Sequence, residues 1–150
     1  VTGVQTCALP ISGWLEGVFH LAKLHAFAEY LAHHGWYTMT DVMVARVGVL
    51  PFFQLSREET LMVQAPTGVL LPTAPGKLHT VTMLLPGGSI DGVIETAEGV
   101  RLSDHIDKTT SFLHLKQASV KVWADSTPHS FDDLLVNKQR VVGLTESGPE

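Results

Sequence analysis

Shifted by 75 positions, the chain repeats its own pattern. Gly13, Leu15, Glu16, Gly17 and Phe19 fall on Gly88, Ile90, Asp91, Gly92 and Ile94, and Phe27, Glu29 and Leu31 fall on Leu102, Asp104 and Ile106. After one inserted residue, 36–44 falls on 112–120, and after about five more, 55–57 falls on 136–138. Few pairs are identical; the order of glycines, apolar positions and carboxylates is what persists. Solenoid repeats run to roughly 20–50 residues, so a longer period reads as a duplicated domain. The expected organisation is a first repeat at 13–66, a linker at 67–77, a second repeat at 78–146 and a tail at 147–150. The stretch 66–77 carries three prolines and two glycines, which suits a linker.

The second repeat states the pattern most fully. Residues 79–85, rich in β-branched and apolar side chains, stop at the turn signal Pro86-Gly-Gly88, and 90–96 alternates on the far side, so the pair reads as a hairpin. Gly99 breaks the strand. Ser103 is placed to cap a short helix to Lys108, with Asp104 in the first turn where a carboxylate suits the helix dipole. Residues 112–123 make a long alternating strand, and 131–136 and 141–144 make two short ones about a turn at 137–139. Five short strands in so little chain favour one bent sheet closing on itself over two full sheets.

The first repeat follows suit from its second strand: a strand at 13–21, a helix at 24–34 ended by Gly35, a long strand at 37–49 with Pro51 at its turn, and a last strand at 61–65. Residues 1–11 resemble the translation of a sequencing-library adapter read into an open reading frame. Residues 1–12 are therefore set aside as an artefact, and Cys7, the chain's one cysteine, goes with them. On that reading the first repeat lacks its first strand, and the open edge left behind would be less stable or would recruit a strand from elsewhere.

Arg101-Leu-Ser-Asp104, residues 112–120 and Val136-Asn-Lys138 together resemble a group of uncharacterised bacterial small-barrel domains. The resemblance covers most of the second repeat and implies an Sm-like or SH3-like barrel, but no activity. The expected fold is thus mainly β with short helices: two tandem small Sm-like or SH3-like barrels, the first short of one strand. The first repeat departs from the motif, with 26–29 and Leu55-Ser-Arg57 in its place.

Composition narrows the function. Charged residues make up 17% and apolar ones 45%, so the chain can fill cores and is not a disordered one. A single cysteine rules out an internal disulfide framework, which is compatible with a reducing, cytoplasmic setting. The net charge of −5, with no run of Lys and Arg, disfavours affinity built on phosphate neutralisation. No apolar window is long enough to span a bilayer.

Arg101, Ser103 and Asp104 are the leading binding candidates, joined by Asn137 and Lys138. An Arg fork beside free helix N–H groups could hold an anion, whereas the plainer reading is a capped helix with a solvated ion pair. Glu29 keeps the charge of Asp104 in the other repeat, which favours the plainer reading. His25, Glu29 and His33 recur at helical spacing and are the residues that would bind a metal, but Val100 and Lys108 stand at equivalent positions and cannot ligate. Trp36, Tyr37 and Phe112 could stack on nucleic acid bases, though strand starts in two related repeats usually pack inward. Nucleophile elbows, phosphate loops and Cys–His pairs are missing from the sequence, and no catalytic residue or cofactor is assigned. The expectation is a non-enzymatic interaction or assembly module whose partner is protein, its own copy or another chain. An Sm-like RNA-binding protein is the alternative, and a metal-dependent hydrolase a distant third.

Overall fold

In the computed structural model, the described residues are 2–9, 13–20, 27–44, 47–65, 76–123 and 127–147, with side chains described from residue 14 onward. The chain divides into two compact units, Val1–Leu71 and Pro72–Glu150. The boundary lies within the expected linker, and residues 66–75 fall outside the described ones. Both units are mainly β, and among the described residues no helix is long and apolar enough to cross a membrane.

Unit 2 runs β6 (Gly76–Leu85), β7 (Gly88–Ala97), α2 (Leu102–Lys108), β8 (Phe112–Val122), β9 (His129–Asn137), a 3-10 turn (Lys138–Arg140) and β10 (Gly143–Glu146). Its antiparallel order is β10-β6-β7-β8-β9, so the last strand returns beside the first. Pro86 and Gly87, the latter at φ 81°, close the β6–β7 hairpin in two residues. Val81, Met83, Ile90, Ile94, Leu113, Leu115, Leu134 and Val136 fill the core from alternating positions.

Unit 1 runs β1 (Thr2–Leu9), β2 (Gly13–His20), α1 (Phe27–His33), β3 (Trp36–Val44), β4 (Gly48–Ser56) and β5 (Met62–Gln64). Its order is β5-β1-β2-β3-β4, the same path as unit 2. The likeness extends to irregularities. The β2–β3 register shifts between Glu16 and Val18, and the β7–β8 register shifts between Asp91 and Val93, 75 positions on. Opposite these shifts Asp41 has φ 52° and Gln117 has φ 50°, a matched left-handed pair that some β-bulges use and that side chains ordinarily resist. Gly17 sits at the first bulge because a Cβ there would lie 2.7 Å from Val42 Cγ2 and 2.9 Å from Met39 Cε; at Gly92 it would lie 3.0 Å from Leu115 Cδ2.

Several expectations need correction. The first repeat does not lack a first strand: β1 pairs with β2 from Thr2↔His20 to Leu9↔Gly13, and Cys7 and Ala8 face Val63 and Met62 of β5. Residues 2–9 carry no charge and no proline, and an unpaired edge accepts such a segment through main-chain groups alone. The long strand expected at 37–49 is a hairpin. The Val47 N–H donates to the Val44 carbonyl at 3.1 Å and Gly48 takes φ 108°, so the chain reverses there and Pro51 lies inside β4 instead of at a turn. β6 begins three residues before 79, and β10 two residues after 141. Among the described residues the strand order is open at β4, β5, β9 and β10 within each unit, so neither sheet closes into a full barrel there.

Candidate functional site

The residues singled out in sequence do not converge. Arg101 occupies the N-cap position of α2 with no side-chain cap bond, and Ser103, expected as the cap, is the second residue of the helix. Arg101 instead pairs with Asp104, Nε to Oδ2 at 3.3 Å, in an exposed i,i+3 contact. At the other end of α2, Lys138 Nζ donates to the carbonyls of Asp107 at 3.3 Å and Thr109 at 2.9 Å, and the Asn137 side chain accepts from the Gln139 N–H. Unit 1 repeats that brace: Arg57 donates through its guanidinium to the Ala32 carbonyl at 2.6 Å. The Arg57 and Lys138 main-chain N–H groups bond Gly35 and Ser111 alike, each at 2.9 Å. A cation satisfying the last carbonyls of a short helix is what both places need.

His25 lies outside the described residues, while Glu29 and His33 are exposed on α1. Among the described residues no three His, Cys, Asp or Glu side chains gather where a metal could sit. Tyr37 is fully buried, its hydroxyl donating to the Leu31 carbonyl at 2.6 Å and its ring packing edgewise on Phe19. Trp36, expected to pack inward with it, points outward at 62% exposure.

Trp36 is part of a larger feature. Inward positions of β3 are Tyr37, Met39, Val42 and Val44, so its outward face carries Trp36, Thr38, Thr40 and, beyond the bulge at Asp41, Met43. Cross-strand register places Phe52 opposite Thr40 and Val49 opposite Met43. Met43 (57%), Val49 (61%) and Phe52 (60%) are thus exposed side chains on one face. At the equivalent positions unit 2 is polar: Asp133 stands for Phe52, Ser119 for Met43 and Ser130 for Val49, and charged pairs lie beside them. Lys116 Nζ reaches Glu95 Oε1 at 2.9 Å, and His114 Nε2 meets Asp133 Oδ1 at 2.8 Å. In unit 1 Thr40 stands for Lys116, His20 for Glu95 and Phe52 for Asp133, and the ion pair becomes a His20 Nε2 contact to Thr40 Oγ1 at 2.7 Å. The hydrogen bond from Lys116 is the main influence holding the Glu95 carboxyl below its ordinary value.

Unit 2 also has a cavity of about 660 Å³ lined by Lys77, His79, Glu98, Val100, Arg101 and Glu146, among others. His79 is 5% exposed, its Nδ1 2.9 Å from Glu146 Oε1 and its Nε2 2.9 Å from Thr96 Oγ1. His79 has no neighbour in sequence at a metal-ligand spacing that would single it out. The signal was its phase: it shares the inward positions of β6 with Val81, Met83 and Leu85, where a polar side chain must have partners. Compared with known proteins, the chain matches no family model, no curated protein and no solved structure.

Proposed function

We propose that the chain is a non-enzymatic assembly module, a tandem pair of small Sm-like or SH3-like units in which unit 1 associates with a second copy of itself through the outward face of β3 and β4. The carrying observation is the contrast at equivalent positions: Phe52 for Asp133 and Thr40 for Lys116. Exposed apolar patches rimmed by polar residues mark association surfaces, whereas a solvated ion-pair face keeps a sheet soluble. The common strand order, with the last strand beside the first, supports the small-barrel and tandem parts of the reading.

A second copy fits this face because it is largely uncharged: β4 has no charged residue, β3 has only Asp41 at its bulge, and the outward side of β2 adds only Glu16, so the apolar side chains of β3 and β4 can meet with those acids at the margin. Among its described residues the face offers no Lys or Arg, which disfavours an RNA backbone as its occupant. The polar groups at the ends of α2 hold the helix in place, a role that requires no chemistry.

Sedimentation velocity of the full chain over a wide concentration range tests this. A reversible shift toward dimer that Phe52→Asp abolishes is expected; a strict monomer, or association that the substitution leaves intact, contradicts it.

A further inference from the structure

We propose that His79, Thr96 and Glu146 form a proton-operated latch that sets the wall of the unit 2 cavity through the Val100 carbonyl. This stands independently of the assembly reading.

The argument rests on donors and acceptors. A carboxylate only accepts, so His79 Nδ1, 2.9 and 3.4 Å from the two Glu146 oxygens, donates whether the ring is neutral or charged. Nε2 is different. The Thr96 hydroxyl has one proton and two acceptors in reach, His79 Nε2 at 2.9 Å and the Val100 carbonyl at 3.2 Å. With a neutral ring, Nε2 takes that proton and the carbonyl is released. With a protonated ring, Nε2 donates to Thr96 Oγ1, which turns the hydroxyl proton onto Val100. Each state satisfies His79 and Thr96 fully, so the difference falls on the carbonyl of a residue that lines the cavity and leads into Arg101 and α2.

The fold does not require these groups. By the strand registers, His79 faces Ile94 as Gly3 faces Phe19, and the offsets of 75 and 81 align Leu21 and Ala65 in sequence with Thr96 and Glu146. None of the three unit 1 residues has a side chain that hydrogen-bonds, yet the same strand path forms. Burying a polar network costs free energy that an apolar one does not. Its presence in one unit alone points to a role beyond packing.

The charged and titratable groups facing His79 are Glu146 from β10, Lys77 from β6, Glu98 and Arg101 from the segment after β7, and His105 from α2. The His105 imidazole is held below its ordinary value by burial first and by His79 second.

The test is a pH titration of the full chain by NMR, following the His79 ring nitrogens, the Val100 carbonyl carbon and the Arg101 amide. Val100 and Arg101 should shift with the His79 midpoint, and the response should persist in His105→Gln and vanish in Thr96→Val while His79 still titrates. Flat Val100 and Arg101 signals, a response lost in His105→Gln, or one that survives Thr96→Val overturns the latch. If Thr96→Val does not fold, the native chain and His105→Gln decide the matter alone.

Discussion

The outer faces of β3–β4 and β8–β9 share a bulge and a register, but not a surface chemistry. One shows Trp36, Met43, Val49 and Phe52 to solvent; the other has Phe112, Ser119, Ser130 and Asp133 at those positions, with His114, Lys116 and Glu95 of β7 in ion pairs alongside. Inside, the two agree: Met39 and Leu115, 76 positions apart, are both fully buried beneath the bulge glycines. Conservation of the interior with divergence of the exterior teaches that packing sets this chain path, leaving the outer positions open to become a solvated ladder or a contact surface.

The strongest way to break the comparison is through the shared interior. Met39→Ala and Leu115→Ala should each cost about 2–5 kcal/mol of stability in chemical denaturation; a large cost at one and none at the other would mean the bulges are not equivalent. A smaller effect sharpens it. Asp41→Gly and Gln117→Gly relieve a left-handed residue, so each should stabilise by roughly 1 kcal/mol, read from thermal melts. Loss at either site would show that the side chain, not the backbone, holds the bulge.

The smallest effect concerns acid. The Glu95 carboxyl is depressed in the fold, chiefly by Lys116, so its contribution is present above the unfolded pKa and is lost as pH falls through the folded one. Lys116→Met should flatten that part of the acid-stability profile. No counterpart is expected at His20 and Thr40, which carry no carboxylate. An unchanged profile in Lys116→Met would assign the acid dependence elsewhere.

Much of the interior was legible in the sequence because a glycine at a bulge and an apolar residue at a buried phase leave local marks. The offsets aligned Gly17 with Gly92 and Leu55-Ser-Arg57 with Val136-Asn-Lys138, but only the folded chain shows that these places are bulges and helix braces. The β3–β4 turn was hidden because 42–50 is an apolar and β-branched run broken only by Arg46 and Gly48. Pro51 misled for a related reason: proline is read as a turn, but an edge strand tolerates it. The outer face of unit 1 could not be read at all until the bulge at Asp41 was known, since that bulge moves Met43 from the buried phase to the exposed one.

The central claim is that the outward face of β3–β4 is a contact surface while its counterpart in unit 2 is not. A dilution series followed by NMR tests it residue by residue. The account predicts concentration-dependent shifts concentrated at Trp36, Met43, Val49 and Phe52, with His114, Lys116 and Asp133 unmoved; shifts centred on the unit 2 face, or none in either unit, would contradict it.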